Sequence, residues 1–149
     1  MQENSTKDRQ AWMGLLAKAP EGQIAALLGE DAGGIGFDWL RPPEVGSVMI
    51  RGRVGGTGAP FNMGEMTVTR CALKLDSGAV GHGYVQGRNK QAAQSAALVD
   101  ALMQTEQADA IRTRVLQPLE DRQRETRATR ARKAAATKVD FFTMARGED

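Results

Sequence analysis

The sequence predicts an α+β fold: an antiparallel sheet of about four strands packed by helices, with an N-terminal helix pair and a long polar C-terminal helix. Three observations predict it. Near the start, Trp12, Met13, Leu15 and Leu16, and then Ile24, Leu27 and Leu28, make apolar stripes at helical spacing. Between residues 37 and 86 the pattern becomes strand-like, with connections too short for crossover helices, so the strands pair antiparallel. From residue 90 helical spacing returns, first alanine-rich and then almost wholly polar. The 149 residues suit one domain with a sizeable core.

Taken in order, residues 1–7 are polar and expected to fray. Thr6 or Asp8 is placed to cap the first helix, and Pro20 ends it. The second helix is short and stops at Gly29, before the breaker Gly33-Gly34-Ile35-Gly36. Phe37–Arg41 alternates as a strand up to Pro42-Pro43. Val48, Ile50, Gly52 and Val54 alternate with Met49, Arg51 and Arg53, as in a sheet with one wet face. Gly55-Gly56-Thr57-Gly58 reads as a loop. Met66–Leu75 reads as a strand, Asp76-Ser77-Gly78 as a hairpin turn, and Ala79–Gln86 as the returning strand. A helix then runs from Lys90 to about Gln107, its small Ala92, Ala93, Ala96, Ala97 and Ala101 allowing close approach to the sheet. A further helical piece carries Ile111, Val115 and Leu116 and is interrupted by Pro118.

From Leu119 the composition shifts. Arg122, Arg124, Arg127, Arg130, Arg132, Lys133 and Lys138 are set against Glu120, Asp121 and Glu125, with no large apolar residue until Val139-Asp140-Phe141-Phe142-Thr143-Met144. A helix polar all round gains nothing from its own core, so it bridges elements or lies on a partner. Two adjacent phenylalanines call for burial, each worth roughly 1.5–3 kcal/mol. The chain therefore divides into an α+β body, 1–118, and a C-terminal basic helix with an aromatic tail, 119–149, for subunit assembly. Arg127, Arg130, Phe141, Phe142 and Met144 are its interface candidates.

Composition narrows the function. A net charge of +2 is too small to imply nucleic acid, and aromatics at 5% do not supply the stacking platforms of single-strand binders. Cys71 and His82 are the lone cysteine and histidine, which excludes an internal disulfide and the usual closed zinc sites, so no metal is expected. One cysteine suits a reducing compartment, the N-terminus lacks a signal region, and no apolar run approaches a membrane span; a soluble cytoplasmic protein is expected. His82, between two glycines, reads as solvated. Cys71 alternates with Leu73 and Leu75 on a buried face, where a thiol is inert; a Cys71–His82 dyad across the hairpin remains open.

Two places have the chemistry of anion sites. At Gly87-Arg88-Asn89-Lys90 a strand turns into a helix, whose free N–H groups and positive dipole end attract anions; Arg88 and Lys90 oppose that dipole unless a phosphate or a carboxylate joins them. Gly55, Gly56, Thr57 and Gly58 follow Arg51 and Arg53 and can form a backbone nest, without the Walker A or dinucleotide spacing. Both sites also admit structural readings, as a solvated turn and as a hairpin connection. Residue chemistry alone favours a binding or assembly subunit.

Three blocks carry a family resemblance. They are Arg9-Gln10-Ala11-Trp12-Met13; the segment holding Arg53–Gly58, Phe61–Glu65, Thr69-Arg70, Gly83–Gln91 and Ala97–Met103; and Lys138–Asp149. Their order and spacing, over essentially the whole chain, resemble the G subunit of the bacterial carbon–phosphorus lyase machinery. The resemblance implies phosphonate catabolism in a complex with H, I, J and L subunits. That complex acts as a transferase: it forms alpha-D-ribose 1-methylphosphonate 5-triphosphate from ATP and methylphosphonate and releases adenine. ATP is then a co-substrate of the complex and this chain has no cofactor of its own. The resemblance assigns no catalytic residue, and the chain is not expected to be catalytic alone. Asn89 departs from the Asp that family members carry, which argues against a catalytic acid there. A phosphate- or RNA-binding module without catalytic role is the alternative, and an autonomous enzyme using Cys71 or His82 is a second.

Overall fold

The computed structural model describes residues 2–53, 58 and 60–147, without the side chains of residues 2–4, 31, 32, 53, 60, 62 and 140–147. Two helices, α1 (Gln2–Ala17) and α2 (Gln23–Leu28), lead through a 3-10 turn (Glu30–Gly34) into three strands, β1 (Phe37–Arg53), β2 (Pro60–Leu75) and β3 (Val80–Gln86). Then come α3 (Lys90–Leu102), the short α4 (Ala108–Ile111), a π turn (Arg112–Leu116) and α5 (Gln117–Gly147). The sheet has the order β1-β2-β3 with both pairs antiparallel. The core lies between the sheet and the helices: Cys71, Leu73, Leu75 and Val85 meet Trp12 and Leu16 of α1, Ile24 and Leu28 of α2, the alanine face of α3, and Ile111, Val115 and Leu119.

The fold class agrees with the sequence, and the strand count is three where about four were expected. The reason is Pro42-Pro43. The sequence pattern ends one strand at these prolines, yet β1 runs through them, with register shifts between Trp39 and Arg41 and between Arg41 and Glu44. Among the described residues only β2 pairs with β1, so β1 is an edge. Adjacent N–H positions face alternate sides, so one proline faces outward at no cost. The other falls in the irregularity between Arg41 and Glu44, where neither proline is paired with β2. The first helix also starts earlier than Thr6 or Asp8, at Gln2.

Beyond the pair Val68–Gln86, β3 has ended while β1 and β2 continue as a two-stranded arm to Arg53–Pro60. No helix covers it. Met49 is 48% exposed, Ile50 41%, Phe61 46% and Met63 64%, so the alternation read from the sequence does not produce one dry face here.

β3 meets α3 through glycines. A Cβ at Gly81 would run into the carbonyl oxygen of Ala97, and one at Gly83 into that of Ala93. The alanines of α3 and the glycines of β3 thus make one contact surface, with helix backbone against strand. Pro118 does not stop the C-terminal helix as expected. The chain is helical from Ala108 to Gly147, and the π turn immediately precedes the proline's turn. A widened turn relieves the clash between a proline ring and the carbonyl four residues back, which otherwise breaks a helix.

Asp100, fully buried on α3, holds the elements together. Arg9 donates from Nε to Oδ1 at 3.1 Å and from Nη2 to Oδ2 at 2.8 Å, Trp12 Nε1 donates to Oδ1 at 2.8 Å, and the backbone N–H of His82 donates to Oδ2 at 2.8 Å. One carboxylate therefore ties α1 and β3 to α3. The hydrogen bond to Asp100 holds the Arg9 guanidinium above its ordinary pKa, partly offset by its own burial.

Asp100→Ala is expected to cost about 3–5 kcal/mol, because it leaves Arg9, Trp12 and the His82 N–H without their acceptor. Trp12→Phe, which loses one donor, should cost about 1–3 kcal/mol. Urea unfolding of the three chains checks the order. Gly83→Ala should cost about 1–3 kcal/mol, since the backbone of α3 has to move away; a melting temperature equal to that of the parent would show that α3 sits less tightly on β3.

Candidate functional site

The strand-to-helix junction is built by backbone first. Gly87 has φ 95°, a conformation natural to glycine, and turns the chain out of β3. Its N–H donates to the Thr67 carbonyl at 2.8 Å, and its own carbonyl accepts from Oγ1 of the fully buried Thr69 at 2.7 Å. Asn89 caps α3: Oδ1 accepts from the Ala92 N–H at 2.9 Å, while Nδ2 donates to Oε1 of Glu21 at 2.9 Å. Arg88 and Lys90 are exposed on either side of this cap. With Ala19, Glu21, Gln86, Gly87, Asn89 and Gln91 they line a groove of about 630 Å³. Glu21 is the carboxylate in that lining, and it is held by the Asn89 amide.

Of the glycine candidates, Gly55, Gly56 and Thr57 lie outside the described residues. Gly58 lies in a bend at the far end of the arm. From Pro60, where β2 starts, to Val68, the partner of Gln86, is roughly 26 Å of strand. The fold thus sets the arm's end apart from the Arg88–Lys90 junction. Arg127 and Arg130 are exposed on α5 and line a second groove, with Gln86 at its border with the first. α5 also runs through Phe141, Phe142 and Met144, whose side chains lie outside the described part. Every side chain from Ala131 to Val139 is exposed, so this stretch has left the body.

A Cys71–His82 dyad is ruled out by register. Cys71 pairs with Gly83, so His82, one residue away, points to the opposite face. The His82 side chain is exposed and Cys71 is buried. Burial pushes the Cys71 thiol up to about 11, partly offset by a backbone hydrogen bond from Gly83. Among the described residues no group of three or more His, Cys, Asp or Glu is placed to hold a metal ion.

Sequence reasoning missed two things. Helical spacing alone leaves Asp100 as one more position of an alanine-rich helix, although an acid among Ala, Leu and Val in a buried stripe signals that a donor must face it. Lys18 and Gln86 were not read as neighbours of the basic helix, and nothing in their spacing shows it.

These features define a small α+β protein with a glycine–alanine core contact, two adjoining grooves edged by cations, and two elements that extend past the body. The sequence profile of the phosphonate metabolism protein PhnG family matches residues 7–147. A protein of Rhizobium meliloti (strain 1021), named alpha-D-ribose 1-methylphosphonate 5-triphosphate synthase subunit PhnG, is 41% identical over 145 residues, 95% of this chain and 90% of its own length. The chain belongs to the PhnG family of phosphonate metabolism proteins.

With its pKa raised from 9.0 to about 11, Cys71 stays a thiol in the fold where an unfolded chain ionises it. Its contribution to stability is full below pH 9 and is lost as pH rises through 11. Iodoacetamide at pH 9 should leave the native chain unmodified and alkylate it in urea. Alkylation at equal rates would place Cys71 at the surface.

Proposed function

We propose that this chain is a subunit of an alpha-D-ribose 1-methylphosphonate 5-triphosphate synthase, in the bacterial carbon–phosphorus lyase system. In this reading it works in the cytoplasm with H, I, J and L subunits. The complex transfers the ribosyl triphosphate of ATP to methylphosphonate and releases adenine, and this chain is not catalytic by itself. The observation that carries the reading is the identity of 41% to a subunit of that name across 95% of the chain.

The geometry supports an assembly role. A helix whose described side chains are all exposed from Ala131 to Val139 extends by roughly 24 Å from residue 131 to Gly147 and gains little stability from its own residues. The β1–β2 arm is a two-stranded ribbon, marginal in water, with Met49, Ile50, Phe61 and Met63 exposed. Both are elements that a partner subunit would cover. Among the described residues no helix is long and apolar enough to cross a membrane.

Deleting residues 133–149 should leave a folded body, because among the described residues the core ends at Leu119, and the bond from Gln123 Nε2 to the Leu15 carbonyl at 2.9 Å that ties α5 to α1 is kept. The shortened chain is expected to lose co-purification with the co-expressed partner subunits, read by native mass spectrometry, and adenine release should fall with it. A full complement of partners on the shortened chain would end the assembly role of this helix.

A further inference from the structure

We infer that the groove between α5 and the α1–α2 link binds an oligophosphate chain, through Lys18, Arg122, Arg127 and Arg130. It has a volume of about 550 Å³, with Pro20, Gln86, Leu119, Gln123 and Thr126 completing its lining. Four cations line it and no carboxylate does. The nearest acids lie outside this lining: Asp8 faces a neighbouring groove that Lys18 and Arg127 also border, and three others have partners of their own. Glu120 accepts from Arg124 at 3.1 Å, Asp121 lies 3.8 Å from the same guanidinium and accepts from Gln117, and Glu21 accepts from Asn89. Glu125 and Asp121 face the adjoining groove on the other side of α5, which Arg122 and Arg130 also border, together with Lys133.

The four cations themselves are left to the solvent. Arg122 donates from Nη1 to Oε1 of Gln23 at 2.7 Å, a neutral partner. Lys18, Arg127 and Arg130 have no ionic partner among the described residues. Like charges crowded on one wall repel, which costs stability unless an anion joins them. The walls are fixed independently of any ligand. Leu119 is fully buried, and the Gln123–Leu15 and Arg122–Gln23 bonds clamp α5 to α1 and α2.

Shape and spacing select the ligand class. Arg122 and Arg130 are eight residues apart, roughly 12 Å along the helix. A single phosphate meets part of that span, while a chain of linked phosphates meets several guanidinium forks at once, the geometry arginine suits best. At Gln86 the groove adjoins the Arg88–Lys90 junction, which extends the cationic edge. The inference rests on the proposed synthase reading only for the source of the ligand, a 5-triphosphate.

The test is calorimetric titration of the full-length chain with inorganic tripolyphosphate at low and at moderate salt. Arg127→Gln with Arg130→Gln should weaken binding about tenfold or more and flatten the salt dependence. Arg132→Gln with Lys138→Gln removes the same charge from the exposed part of α5 and should change affinity by less than about threefold. Lys18→Gln, on a different element, should weaken binding as well, and matching melting temperatures separate loss of the site from loss of the fold. Equal weakening by both double variants, or no tripolyphosphate binding by the parent, overturns the inference. It is also overturned if the groove variant keeps its affinity but sheds partner subunits, since an acidic protein segment is then the occupant. Binding by a chain whose complex makes no ribosyl triphosphate would instead refute the synthase reading and leave the groove standing.

Discussion

One buried carboxylate organises this protein. Asp100 accepts four hydrogen bonds, from both sides of the Arg9 guanidinium fork, the Trp12 indole and the His82 backbone. Taking a charge out of water costs several kcal/mol, and only a complete set of donors offsets it. That makes the arrangement specific: α1 has to approach α3 at the one position and rotation that bring Arg9 and Trp12 to the same two oxygens. Once α1 is set, its C-terminal end follows, and with it Lys18 and Pro20 at the mouth of the basic groove. The block from Arg9 to Met13 and the block around Asp100, which carry the family resemblance, meet here in a structural interaction.

A second constraint works beside it. α3 lies directly on β3 because Gly81 and Gly83 leave room for the helix backbone at Ala93 and Ala97. This closeness lets the N–H of His82 reach Asp100, and it aligns the start of α3 with the end of β3. Arg88 and Lys90 therefore emerge at a fixed place, beside Gln86. The junction that looks in the sequence like a private phosphate turn is one end of a longer cationic edge, continued by α5.

The polar and apolar extensions divide the work of the surface. The grooves lie on the body, where packing holds their walls. The arm and α5 beyond the body carry the features that a folded monomer leaves unsatisfied: exposed Met49, Ile50, Phe61 and Met63 on one, and side chains exposed throughout residues 131–139 on the other. The synthase reading supplies subunits to cover them and a triphosphate for the groove.

The sequence by itself determined the kinds of element and their order. Apolar periodicity marks Trp12 to Leu28 as helical, the turn Asp76-Ser77-Gly78 marks the hairpin, and the alanines mark α3 as a helix packed close. These are local signals, carried by residues a few positions apart. Tertiary structure decided what depends on residues far apart in the chain. It let β1 run through Pro42-Pro43, because an edge strand needs no outward N–H and a register shift there removes the need for the inward one. It let α5 pass Pro118, because a π turn made room. It put Cys71 and His82 on opposite faces by register. It joined Arg9 to Asp100 across 91 positions, and Lys18 to the cations of α5, through contacts that leave no trace in local spacing. A carboxylate in a buried stripe announces that it needs donors, but only the packed fold says which ones.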